Sequence, residues 1–146
     1  MKKLLIVPFI VMIVSCNCKK ETVAKESSSS KQPLFEVLSE SQYQGKEQES
    51  FEVIKDDASL KALYQSINSQ SVPKIDFKTQ RVVAVFLGQR NSGGYAIKIK
   101  NVTEKDNKIY VETEKISPKS GENATMAITN PYSIAKINST KEIVFK

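Results

Sequence analysis

The chain has 146 residues, with 22 Lys+Arg against 16 Asp+Glu, and it contains two Cys but no His and no Trp. This length allows one domain with an appendage. The absence of His excludes Ser-His-Asp and Cys-His triads and every His-ligated zinc site. Only one residue separates Cys16 from Cys18, so the chain lacks a CxxC pair for redox chemistry or zinc binding.

The net charge of +6 is spread along the chain, because residues 1–15, 16–33 and 34–146 contribute +2 each. A nucleic-acid binder concentrates its positive charge on the folded surface, where it displaces counterions from phosphates. Here most of the excess lies outside the long third segment, so we do not expect nucleic-acid binding.

The N-terminus has the pattern of an export signal. Lys2 and Lys3 precede an apolar run of eleven residues, Leu4–Val14. As a helix this run covers roughly 16 Å, about half of a ~30 Å hydrocarbon core, so we do not expect a permanent membrane span.

The apolar run ends at Ser15-Cys16, which resembles a bacterial lipobox. The resemblance implies that the Cys16 thiol takes a diacylglycerol and that cleavage frees its amine for further acylation. Two or more acyl chains give stable anchoring. The alternative is an ordinary secretory signal with a coincidental Cys. Cys18 is the weaker acceptor, because no apolar positions precede it.

A polar segment at 19–32, with four consecutive serines, follows the lipobox. It cannot bury enough apolar surface to offset the entropy of ordering. We therefore predict a signal peptide at 1–15, a lipidated flexible tether at 16–33 and a folded domain at 34–146. The predicted location is the bacterial cell envelope, outside the cytoplasm, with the membrane and leaflet left open.

The folded segment begins with a strand candidate at 50–54, followed by one helix. Asp56 or Asp57 can cap this helix, and Pro73 is expected to end it. Its apolar positions follow the i, i+3, i+4, i+7 spacing: Leu60, Leu63, Tyr64 and Ile67.

Strands account for the remaining predicted elements. The apolar run 81–88 is typical of a strand buried on both faces. Segments 95–100 and 109–114 alternate polar and apolar residues, and with 81–88 they predict an antiparallel meander. Further short strands are predicted at 125–129, 133–137 and 142–145. The prediction is an α+β fold dominated by antiparallel sheet, either a sandwich or barrel-like, with one main helix.

Four segments, by their order and spacing, resemble the PrcB C-terminal domain family: 72–77, 82–90, 92–99 and 130–134. The likeness covers about residues 40–146. Departures from the family pattern fall at Gln44, Ser92, Leu63-Tyr64 and Ser133. The family is named for an accessory subunit of a bacterial surface protease complex. The resemblance therefore implies a non-catalytic partner of another extracytoplasmic protein.

The loop 89–95 is the first candidate surface for binding. Its glycines allow backbone N–H groups to converge on an anion or a peptide carboxylate, and its arginine supplies charge. The alternative is a hairpin loop that needs positive φ at one glycine. A P-loop is excluded, because no Lys-Ser/Thr follows the glycines. The candidate residues are Arg90, Ser92, Gly93, Gly94 and Tyr95.

Pro131 and Tyr132 form the second candidate surface. Tyrosine is enriched at protein interfaces, so Tyr132 could anchor a partner. The alternative is a rigid corner between strands, with Pro131 where a ladder hydrogen bond is lost and Tyr132 packed inward.

The sequence favours no catalytic site, metal site or cofactor. Glu112 and Glu114 lie on one strand face about 7 Å apart, a separation that hydrolases use. A solvated face opposite Lys98 and Lys100 explains them better.

The predicted function is a membrane-anchored lipoprotein, not an enzyme, that binds another envelope protein. A surface protease is one candidate partner, which the chain would stabilise or tether. The alternative is a domain that binds a small ligand or a peptide through the Gly93–Gly94 loop. An unrecognised hydrolase is the third interpretation.

Overall fold

The computed structural model describes residues 33–119 and 125–146. The predicted signal peptide, Cys16, Cys18 and nearly all of the predicted tether lie outside the described residues and stay predictions. The described elements are β1 (Phe35–Ser41), β2 (Ser50–Ile54), α1 (Asp57–Ser66), β3 (Arg81–Phe86), β4 (Ala96–Lys105), β5 (Lys108–Ile116), β6 (Tyr132–Ile137) and β7 (Glu142–Phe145).

The strands form two sheets. The first has the order β1-β6-β3-β2 with every pair antiparallel. The second has the order β4-β5-β7, in which β4 and β5 are antiparallel and β5 and β7 are parallel. The predicted α+β class is confirmed, and the described strands form a sandwich rather than a closed barrel.

Strand β3 lies at the centre of three layers. Its Val82, Ala84 and Phe86 pack with α1 in one apolar cluster. Its Val83 and Val85 pack against the second sheet in another. Successive side chains of a strand point to opposite faces, so a strand covered on both sides needs a continuous apolar run. The predicted burial of β3 on both faces is confirmed.

The predicted helix is confirmed, with Asp56 as its N-cap. The Asp56 carboxylate accepts hydrogen bonds from the Ser59 backbone N–H at 2.8 Å and from the Ser59 hydroxyl at 2.9 Å. The four predicted apolar side chains are buried. The prediction that Pro73 ends the helix is wrong. The helix already ends at Ser66, because Asn68 adopts a left-handed φ of 54°.

The predicted meander is wrong at its first step. Strands β4 and β5 do form a hairpin, but β3 pairs with β2 and β6 in the other sheet. The predicted strand at 125–129 is also wrong, since only Thr129 forms a bridge, with Arg90. Strand β1 was not predicted, because a register shift between Val37 and Ser39 interrupts its alternation.

The strand register gives the sandwich two distinct ends. At one end Phe35 and Arg81 flank Ile137, and the Asn138 side chain donates to the Pro33 carbonyl at 2.6 Å. At the opposite end, called the distal end below, lie the turn 42–45, the loop 88–95, residue 116 and the segment 125–131. Within the described part of the chain, no helix is long and apolar enough to cross a membrane.

Candidate functional site

Two stretches of the distal end run side by side. Arg90 and Thr129 exchange both backbone hydrogen bonds, at 2.8 and 2.9 Å. The Gly93 N–H donates to the Thr125 carbonyl at 2.8 Å, and the Thr129 hydroxyl donates to the Ser92 carbonyl at 3.0 Å. Residues 90–93 and 125–129 thus form a short antiparallel pair, called the distal ribbon below. The loop that sequence analysis singled out is one half of this ribbon.

The two glycines of the loop have different structural roles. A Cβ on Gly93 would lie 2.3 Å from the Thr125 hydroxyl, so a larger side chain would separate the ribbon. Gly94 carries the positive φ, at 84°. The loop is not a hairpin, however, since it connects β3 of one sheet to β4 of the other. The Gly93 N–H already donates to the Thr125 carbonyl. It is therefore not available to the predicted group of N–H donors that would bind an anion.

Arg90 has a positive charge without a described carboxylate partner. Its guanidinium donates to the Gln89 carbonyl at 3.0 Å, and its Cζ lies 5.9 Å from the ring centroid of Tyr95. None of the ion pairs among residues 33–119 and 125–146 includes Arg90. Its side chain is partly exposed, as are Ser92 and Tyr95. The charge can therefore meet an acidic group of a partner.

Pro131 and Tyr132 are buried, which corrects their interpretation as a partner surface. The Pro131 carbonyl accepts from the Leu87 N–H at 3.0 Å. The Tyr132 ring is 5% exposed and lies 6.1 Å from the Phe86 ring, while its hydroxyl and that of Ser39 are 3.0 Å apart. Tyr132 opens β6 directly beneath α1, so topology directs its ring into the core. The structure supports the alternative of a rigid corner.

Burial also affects a phenol next to this corner. Desolvation raises the pKa of Tyr64, and the neighbouring Tyr132 phenol raises it further. Neutral Tyr64 belongs to the apolar cluster that joins α1 to the first sheet. Its hydroxyl is thus kept protonated in a structural position.

The carboxylates discussed as alternatives lie on the outer face of the second sheet. Lys100 and Glu114 form an ion pair at 3.9 Å, and Glu112 is exposed. A bulge next to Lys100 brings Glu112 opposite Asn101. Across residues 33–119 and 125–146 no group of three His, Cys, Asp or Glu is arranged to hold a metal ion.

Sequence analysis missed the apolar residues that the distal end exposes. Met126 is 99% exposed, Ile128 64%, Tyr43 52% and Ile116 36%. Met126 and Ile128 lie within the wrongly predicted strand at 125–129, and the chain bends at Met126.

The comparison with family models covers part of the folded chain. Residues 81–138 match the family model named PrcB C-terminal. This confirms the resemblance, over a shorter segment than the 40–146 expected from sequence. The matched segment runs from β3 to just past β6 and includes both halves of the distal ribbon.

One relative is an uncharacterized protein from Methanocaldococcus jannaschii. It is 38% identical to this chain over 65 residues, which are 44% of this chain and 39% of that protein. The alignment thus spans well under half of the relative's length. No solved structure gives a significant match.

Proposed function

We propose that this chain, whose residues 81–138 carry the PrcB C-terminal pattern, is a lipid-anchored envelope protein that binds another protein through its distal end. In this proposal it is a non-catalytic accessory subunit that holds its partner at the membrane surface. The anchor is Cys16, and the segment up to residue 33 is the tether.

The observation that carries the proposal is the placement of exposed apolar side chains. Within the described residues, seven large hydrophobic side chains are exposed, and four of them lie at the distal end. Apolar groups gathered on one surface are typical of protein interaction sites. The four are Tyr43, Ile116, Met126 and Ile128.

The position of Pro33 is compatible with anchoring. Pro33 and Asn138 lie at the end of the sandwich opposite the distal loops. Loops at one end of a rigid sandwich commonly carry the binding residues. A lipid anchor that precedes Pro33 therefore joins the domain away from the proposed binding surface.

The proposed mechanism is mass action. A partner that is bound only in its folded state is stabilised by an amount that grows with the logarithm of the ratio between the concentration of this chain and the dissociation constant. Anchoring both proteins at one membrane raises their effective concentration. The family's name makes a surface protease the first partner to examine.

The partner-binding test uses full-length protein in intact cells, with chemical crosslinking followed by solubilisation and identification of the attached polypeptide. We expect the wild type to capture a defined envelope protein. The double variant Met126→Ser, Ile128→Ser should capture at least tenfold less. Val37→Ser is the matched control, because Val37 is an exposed apolar residue away from the distal end. Equal capture by the double variant, or no capture by the wild type, contradicts the proposal.

The anchor is tested separately by metabolic labelling with a radioactive fatty acid. We expect label in the wild type and in Cys18→Ser, and none in Cys16→Ser. Label retained by Cys16→Ser would exclude Cys16 as the acylated residue.

A further inference from the structure

We propose that a cavity between the two sheets, at the end of the sandwich where Pro33 lies, binds a phosphate group. The cavity has a volume of about 290 Å³ and is called the proximal cavity below. It lies between the end of β2, the start of β3 and the start of β7. Its polar lining consists of Lys55, Arg81, Thr140, Lys141 and Glu142. This site is separate from the distal end and goes beyond the proposed binding of a partner protein.

Arg81 lines the proximal cavity and has unpaired donors. Its Nη1 group donates to the carbonyls of Phe77 at 2.5 Å and Gln80 at 2.7 Å, which hold the guanidinium against the turn before β3. Its Nε–H and Nη2–H groups have no acceptor among the described residues. The Nε–Nη2 edge of a planar guanidinium matches two oxygens of a phosphate. Because Arg81 is already held in place, it loses little side-chain entropy when it binds an anion.

Lys55 is a second cation of the lining without a described carboxylate partner. It follows β2, is exposed, and forms no hydrogen bond or ion pair with residues 33–119 and 125–146. Asp56 and Asp57 come next in the chain but do not line the cavity, and the Asp56 carboxylate accepts from Ser59. Lys55 and Arg81 therefore supply two positive charges to an anion in the cavity.

The other charges of the lining are already paired. Lys141 pairs with Glu104, and Glu142 pairs with Lys108 at 3.0 Å. Thr140 adds a hydroxyl that has no described partner and can donate to an oxygen of the ligand. A guanidinium edge, an ammonium and a hydroxyl together need more acceptor oxygens than a carboxylate offers. A phosphate has enough oxygens to accept from all three groups.

The position of the cavity favours a phospholipid headgroup as the source of the phosphate. The Gln80 amide donates to the Asn138 side chain at 2.8 Å, and the Asn138 amide donates to the Pro33 carbonyl at 2.6 Å. The residue before Arg81 is thus connected to the start of the described chain, which the proposed tether precedes. A lipid anchor on that tether raises the local concentration of headgroups around the cavity. This choice of source rests on the proposed anchor, whereas the phosphate site does not.

The test uses the full-length protein in dodecyl maltoside micelles and measures its melting temperature by calorimetry as inorganic phosphate is added. Sodium chloride keeps the ionic strength constant, so that the screening of surface charges does not change. A ligand that binds only the folded state raises the melting temperature. We expect phosphate to do so in a saturable manner. A second titration uses dioctanoylphosphatidylglycerol, with dioctanoylglycerol as the control that lacks phosphate.

Three variants test whether binding occurs in the proximal cavity, each compared with its own melting temperature without ligand. Arg81→Lys keeps the charge and loses the bidentate edge, so it should bind phosphate at least tenfold more weakly. Lys55→Gln should bind about threefold more weakly, since an exposed ion pair contributes modestly. Lys61→Gln is the matched control, because Lys61 is exposed on α1 and does not line the cavity. It should bind phosphate as the wild type does.

The two titrations also distinguish the sources of the phosphate. Stabilisation by the phospholipid at concentrations where inorganic phosphate has no effect would support the site with a headgroup as its ligand. Stabilisation by inorganic phosphate alone would support the site with a soluble ligand. No saturable stabilisation by either, or equal affinities of the wild type, Lys55→Gln and Lys61→Gln, would overturn the proposal. Crosslinking of a partner at the distal end does not involve this cavity, so the proposed function stands or fails separately.

Discussion

Two isoleucines six residues apart have opposite environments. Ile134, in β6, is completely buried, whereas Ile128 is largely exposed. Ile134 lies on a strand with β1 on one side and β3 on the other, and it packs in the cluster that contains α1. Ile128 lies outside the strands and forms no hydrogen bond with the described residues. The side chain is the same, so the layers around it determine its burial.

The same contrast separates the centre of the sandwich from its distal end. At the centre, apolar side chains from three layers interlock. At the distal end, close backbone approaches hold the loops: Gly45 donates to the Asn130 carbonyl at 2.9 Å, and Gln89 to the Glu47 carbonyl at 2.9 Å. Stability should therefore depend on side-chain volume at the centre and on glycine at the distal end.

The largest expected loss of stability tests whether Tyr132 belongs to the buried centre of the sandwich or to the distal end. Tyr132→Ala should lower the free energy of unfolding by about 3–5 kcal/mol, because it empties a buried aromatic site. Tyr132→Phe removes only the hydrogen bond with Ser39 and should cost about 1 kcal/mol. Urea denaturation measures both. If Tyr132→Ala reduced partner capture without a loss of stability, Tyr132 would be a contact residue. It would then belong to the binding surface and not to the buried centre.

The two isoleucines allow a direct comparison with one substitution. Ile134→Ala should destabilise the fold by about 2–5 kcal/mol, since its methyl groups leave a cavity. Ile128→Ala should change stability by less than about 0.5 kcal/mol, as is usual for surface sites. Urea denaturation of both variants checks the difference. Comparable losses would mean that the 125–129 segment is packed in solution.

The sequence predicted correctly those elements that a short local pattern of residues defines. The helix was predicted from the spacing of its apolar residues and from Asp56, and β3 from its unbroken apolar run. Both signals depend on a residue's near neighbours. They do not specify which sheet a strand joins, and so β3 and β4 were wrongly placed side by side.

The candidate site was harder to predict for a related reason. Arg90 and the glycines stand out because charge and turn residues are visible in the sequence. Met126 and Ile128 do not, since a period of two indicates that a segment has two unlike faces but not what covers the apolar one. The order of the family motifs was informative where the individual residues were not.

Gly45 should be intolerant of the smallest side chain. A Cβ there would lie 2.4 Å from the Asn130 carbonyl oxygen, which accepts the Gly45 N–H. Gly45→Ala must separate the turn from the segment before β6, and we expect a loss of about 1–3 kcal/mol, similar to overpacking in a core. Gln42→Ala is the control, because this exposed residue contributes its carbonyl to Asn130 and not its side chain. Urea denaturation that shows no difference between the two variants would contradict the role of close backbone approach.

The smallest expected effect concerns the cap of α1, and it depends on pH. Hydrogen bonds from the Ser59 backbone N–H and hydroxyl hold the pKa of Asp56 below its ordinary value of 3.8. A carboxyl whose pKa is lower in the folded state stabilises the fold above the unfolded pKa, and this contribution is lost as pH falls through the folded pKa. Asp56→Ala should therefore melt below the wild type at pH 7, and the gap should narrow below about pH 3.8. Asp56→Asn keeps an acceptor that does not titrate, so its melting temperature should fall less than that of the wild type between pH 7 and pH 3. Thermal unfolding followed by circular dichroism measures all three proteins, and a gap between wild type and Asp56→Ala that stays constant with pH would show that the Asp56 charge does not contribute to the cap.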